Sequence, residues 1–120
     1  MNIEDIRKYC LNKPATTEST PFGDDTLVFK VFDKMFALLS LSDTKRINLK
    51  CDPERAIKLR EDNNAIIPGY HMNKKHWNSI YPNDLYDDNL MMEMIDHSFE
   101  LVASKLKKIQ KEELKKLQKK

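Results

Sequence analysis

Arg46-Ile47-Asn48-Leu49-Lys50-Cys51-Asp52-Pro53-Glu54 reads as a strand that runs straight into a helix. Ile47, Leu49 and Cys51 alternate with Arg46, Asn48 and Lys50, the period of two that sends successive side chains to opposite faces of a sheet. One face is expected to be core, the other solvated and positive. Asp52 can cap a helix, Pro53 suits its first position, and Glu54 favours the positive end of its dipole. That helix is expected to reach about residue 63, with Ala56 and the stems of Leu59 or Arg60 turned inward.

Upstream, residues 26–32 and 35–41 are two runs of aliphatic and aromatic side chains. Asp33-Lys34 between them is a spacing suited to a hairpin, although the favoured Gly is missing. The second run is apolar on both faces, which predicts a central strand. The Thr- and Ser-rich residues 15–20 are expected to add a short edge strand, followed by the turn cluster Pro21-Phe22-Gly23-Asp24-Asp25. Asn2 can cap a first helix with Ile3, Ile6 and Cys10 on one face, stopped at Lys13-Pro14.

Downstream, Ala65-Ile66-Ile67 leads into Pro68-Gly69, a turn pair in which Pro fixes φ and Gly accepts a positive φ. His76, Asn78 and Ile80 then alternate with Trp77, Ser79 and Tyr81 as a further strand, ended by Pro82-Asn83-Asp84. Asp87-Asp88 caps a last long helix whose seam is Ile95, Phe99, Val102, Leu106 and Ile109. The order is helix, three or four strands, helix, one or two strands, helix. It predicts a two-layer α+β domain, an antiparallel sheet with helices packed on one face.

A chain of 120 residues is one domain, and folding buries roughly two-thirds of its unfolded surface. With 40% hydrophobic and 33% charged residues the composition is neither that of a disordered chain nor that of a membrane protein. No apolar run approaches the ~20 residues of a bilayer span, and the N-terminus lacks the pattern of a signal peptide, so a cytoplasmic protein without membrane contact is expected. Cys10 and Cys51 form no metal or disulfide motif and are expected to be buried thiols. Residues 105–120 hold eight Lys and two Glu, or +6 of a total of +2, which leaves −4 for residues 1–104. The body is mildly acidic and the basicity sits in the tail.

Residues 68–81 gather two of the three His, the only Trp and the adjacent pair Lys74-Lys75. His71, Asn73, Lys74, Lys75, His76 and Asn78, with Arg46 and Lys50 from the preceding strand, are the candidate nucleic-acid contacts. Ammonium groups and amides can touch phosphate oxygens and release counterions, an attraction that salt weakens. The plainer reading is a solvated turn, and Trp77 reads more simply as core than as a base-stacking platform. His71 and His76 are five apart, off any shared helical face, so neither metal nor cofactor is expected. His97 beside Asp96 resembles a base with its orienting acid, but no nucleophile is marked, and capping or a surface hydrogen bond accounts for it better. Met91, Met92 and Met94 read as flexible core fillers.

Pro21-Phe22-Gly23, Val28-Phe29-Lys30-Val31, Lys34-Met35-Phe36-Ala37-Leu38, Leu49-Lys50-Cys51-Asp52-Pro53-Glu54, residues 68–78 and Ile95-Asp96-His97-Ser98-Phe99 together resemble the MmcQ/YjbR family of small bacterial proteins over residues 1–108. The resemblance implies a fold similar to secretion-chaperone domains, in the order α-β-β-β-α-β-β-α, and DNA binding through a double-wing arrangement. Asp33 departs from the family's pattern, which usually has Gly there, and the Lys-rich helical extension at 109–120 lies outside it.

The expected function is therefore that of a non-enzymatic binding module, with no catalytic residues, that contacts DNA phosphates through the Lys- and His-rich turn and strand. A monomer is the expected state. The alternative is a protein-binding adaptor or chaperone-like protein, favoured by the acidic body. A third reading, a small-ligand protein or enzyme, requires a pocket lined by Tyr70, His71 and His97.

Overall fold

Each of three helices begins where a side chain can take up its unpaired amides. Asn2 and Asp5 form a reciprocal capping box on α1 (Ile3–Leu11), and Asp52 accepts from the Arg55 amide at the start of α2 (Pro53–Asp62). Asp87 accepts from the Leu90 amide at the start of α3 (Asp88–Ala103). The remaining elements are β1 (Thr16–Ser19), β2 (Thr26–Val31), β3 (Lys34–Ser40), β4 (Arg46–Lys50), β5 (Ile66–Pro68), β6 (Trp77–Ile80), a single 3-10 turn over Pro82–Asp84, and α4 (Lys108–Gln118). The computed structural model describes residues 1–42 and 45–118.

The strands form one antiparallel sheet in the order β1-β2-β3-β4-β6-β5. β3 is internal, as its two apolar faces predict, and β1 is the edge strand expected from residues 15–20. The order implied by the family resemblance lacks β1 and α4 but shares the architecture. Register lines up Leu39, Ile47, Ile80 and Ile66 across neighbouring strands on the inner face, where α3 covers β2, β3 and β4. Fully burying such a side chain is worth about 1.5–3 kcal/mol, so the inner layer supplies most of the drive to fold.

Between Phe29 and Lys30 the β2–β3 register slips, which leaves Phe36 as an extra residue on β3. Its ring meets Phe99 of α3 edge-on at 5.2 Å, and its carbonyl accepts a 2.6 Å hydrogen bond from Ser98. Ser98 Oγ in turn accepts from the Lys50 amide at 2.9 Å, so one fully buried hydroxyl ties α3 to two strands.

Three local expectations are corrected. Gly69 does not have a positive φ: a Cβ there would lie 2.8 Å from Trp77 Cβ and 2.9 Å from Trp77 O, so Gly is required by close approach. The tight turn between β2 and β3 places its left-handed residue at Phe32 (φ 54°), so Asp33 is free of the conformation that Gly usually serves. The last helix is not continuous. The seam holds through Leu106 but breaks after Ala103, and Ile109 is 67% exposed while Leu114 of α4 takes its place in the core. The final two residues of the Lys-rich extension lie outside the described residues.

Candidate functional site

β5 and β6 are joined by residues 69–76, the segment that holds most of the candidate contacts. Gly69 N donates to Trp77 O at 2.8 Å and closes the base of the turn. Asn73 Oδ1 accepts from the amides of Lys75 (2.9 Å) and His76 (3.2 Å), and Trp77 N donates to Asn73 O. Lys74 bends back so that its ammonium donates to Gly69 O at 3.1 Å. Lys75 stays exposed.

A second set of bonds fixes the start of the segment on the outer face of the sheet, the face away from α3. Tyr70 N donates to Ser79 Oγ at 2.8 Å, Asn48 Nδ2 donates to Tyr70 O at 3.3 Å, and Ser79 Oγ donates to Asn48 Oδ1. Ser79 and Asn48 are buried, and each polar group of the set has a partner. Asn48 thus corrects the expectation that the outer side of β4 is solvated. The next residue, His71, adopts φ 59°, and its ring centroid lies 4.0 Å from that of Tyr70. The Arg46 guanidinium rests 4.2 Å from the Tyr70 ring centroid, a cation–π contact.

The eight candidate residues therefore divide. Lys50, Asn73 and His76 meet at a groove of about 280 Å³ whose walls also include Trp77, Leu101 and Lys105. Arg46 and His71 belong to a separate cleft on the outer face of the sheet. Asn78 leaves the surface altogether: it is 2% exposed, donates to Ala56 O at 3.3 Å and accepts from Arg60 at 2.8 Å. The reason was present in the alternation, because Asn78 shares its face with Ile80 and Ile80 is core. Trp77, on the outer parity, is half-buried and forms a groove wall.

Lys105 was read only as tail. Leu101 lies in the last turn of α3 and Lys105 two residues past its end, and both line the groove; no periodicity marks that end in the sequence. Among the described residues, no ion pair engages Lys50, Lys75 or Lys105. Asp52 is the one acid among the described residues lining the groove, and its carboxylate is bonded to the Arg55 amide.

His97 lies on the inner side and joins neither His71 nor Tyr70. Its Nε2 accepts from the Asp52 amide at 3.1 Å, a bond that requires the neutral ring. Burial first, then the nearby Arg55, holds its pKa below the ordinary value, against the opposing pull of Asp52 and Glu100. Asp96 instead binds Tyr9 and Lys13, so no His–Asp pair forms. Both thiols are buried; burial pushes Cys10 up to about 12 and raises Cys51 as well.

A family model described as YjbR matches residues 11–101, which takes in every strand and most of α3. The chain belongs to the YjbR family. This YjbR-family protein is 39% identical over 106 residues to YbdF of Escherichia coli O157:H7, covering 88% of this chain and 87% of that one. It is 28% identical over 107 residues to YjbR of Escherichia coli K12, covering 88% and 91%. Among solved structures, a Deinococcus radiodurans protein superposes with a TM-score of 0.85 at 39% identity, covering 94% of this chain and 87% of that one. A Pseudomonas syringae protein gives 0.75 at 30% identity, covering 85% and 99%. α4 lies beyond the residues that the YjbR model matches.

Proposed function

We propose that this YjbR-family protein is a non-enzymatic module that binds the phosphate backbone of duplex DNA through the groove at the end of β4 and β6. The observation that carries the reading is the convergence of Lys50, His76 and Lys105 on one groove, with exposed Lys75 on the adjoining turn. Lys50 ends β4, His76 precedes β6 and Lys105 follows α3, so three distant parts of the chain bring basic side chains to one place although the body as a whole is acidic. In a double-wing arrangement, the β5–β6 hairpin serves as one wing. Trp77 adds an apolar wall against sugar and base edges. The two free, buried thiols suit a reducing cytoplasm.

The binding should be non-specific in sequence and steeply dependent on salt. If about three Lys each neutralise a phosphate, affinity falls roughly 40-fold between about 50 and 200 mM salt. Titration of duplex DNA at those two concentrations checks this. Lys75→Glu with Lys105→Glu should weaken binding more than tenfold at the lower salt and flatten the salt slope. Unchanged affinity in the double variant overturns the reading.

A protein-binding adaptor is the second reading, favoured by Tyr86, which is 93% exposed beside Asp84, Asp87 and Asp88. A single protein retained stoichiometrically after nuclease treatment, and lost with Tyr86→Ser, would establish it instead.

A further inference from the structure

The outer-face cleft plays no part in the DNA reading and is built differently from the groove. It encloses about 330 Å³, within the range of small-molecule sites. Met35 and Leu38 of β3 lie on one side and Tyr70 and Met72 on the other. Phe22, 66% exposed, stands at its margin. The only formally charged side chain among its described lining residues is Arg46.

Its walls are held firmly. Both backbone polar groups of Tyr70 are bound to the buried Asn48–Ser79 pair, so the point from which the ring projects is fixed by the sheet itself. The Tyr70 ring in turn supports the Arg46 guanidinium at 4.2 Å, orienting a side chain that would otherwise be mobile. A chain that needed only to cover Met35 and Leu38 would place an apolar side chain over them. Here a buried polar clamp and a left-handed residue, His71, keep the space between the two walls open.

We propose that this cleft binds a small organic acid, its carboxylate held by Arg46 and its apolar tail or ring packed against Met35, Leu38 and Met72. A planar guanidinium matches a carboxylate with two parallel hydrogen bonds, and among the described residues no ion pair engages Arg46. Thr26 and Ser40 also line the cleft; the Ser40 hydroxyl is hydrogen-bonded to that of Ser42 at 3.0 Å, which leaves Thr26 as the further hydroxyl donor for the carboxylate. The apolar walls select against bare anions such as inorganic phosphate.

Amide NMR spectra of the full chain test the assignment, with octanoate and phenylpropionate as probes and the corresponding alcohols and inorganic phosphate as controls. Saturable shifts confined to Arg46, Tyr70, His71, Met72 and their strand neighbours are expected with the acids. The alcohols should bind at least tenfold more weakly, and phosphate should not saturate. Arg46→Gln should weaken the acids about tenfold and abolish their advantage over the alcohols. Met35→Trp should fill the cleft and remove binding while the rest of the spectrum superposes. Shifts that do not saturate into the millimolar range, that map to the Lys-rich tail, or that persist unchanged in both variants overturn the proposal. DNA affinity, read separately, is expected to be the same in Met35→Trp and in the native chain.

Discussion

At Gly69 there is no room for a side chain. The Trp77 backbone and Cβ occupy the place where a Cβ would go, and the Gly69 amide is bonded across to Trp77 O. Gly69→Ala should therefore destabilise by about 1–3 kcal/mol, because the two ends of the segment must part to admit one methyl group. Urea unfolding midpoints at equal m-value would show it, and an unchanged midpoint would mean that the contact relaxes freely. This role could not be read in the sequence, where Pro-Gly suggests a turn and a positive φ with equal force. Asn78 was different: its parity with Ile80 was visible, but its amide was read as a surface donor and the opposite face, with Trp77, as core. Buried amides escape such a reading because their partners, here the Ala56 carbonyl and Arg60, come from a helix well separated in sequence.

Among the elements, α2 shows how a strand and a helix from distant parts of the chain share one joint. The cap signal Asp52-Pro53-Glu54 was legible, since capping depends on neighbours in sequence. The bond from the Asp52 amide to His97 was not, since it depends on how α3 crosses the end of β4. It makes stability depend on pH with a definite sign. The folded ring has a pKa below its ordinary value of about 6.5, so the unfolded chain binds the extra proton first. The contribution is full above about pH 6.5 and is lost as pH falls below it toward the folded value. His97→Gln should leave a smaller loss of urea midpoint between about pH 7.5 and 5.5 than the native chain shows. An equal loss in both proteins would remove His97 as the cause.

Over the whole molecule, apolar periodicity was sufficient for the layers and insufficient for the C-terminus. The helical stripe through α3 carries on past its end without Gly or Pro to mark the break between Ala103 and Lys108. α4 then re-enters the core through Leu114, 6% exposed, while Ile109 and Leu117 face out at 67% and 43%. Leu114→Ala should cost about 2 kcal/mol or more, whereas Ile109→Ala should cost almost nothing. Thermal melts of the two variants give the comparison within one helix, and equal melting temperatures would show α4 to be undocked. The candidate site was legible as a composition but not as a place. Its residues are adjacent in sequence yet supply two concavities, because the turn from β5 to β6 presents one end to the outer face and the other to the end of α3.

The two native sulfhydryls, interior and pushed toward weak acidity, leave the exterior free of competing thiols. A lone cysteine introduced at residue 22 or 75 would therefore be the only fast target for a maleimide dye. The cleft and the groove could each carry its own reporter, without first stripping the chain of anything it was born with.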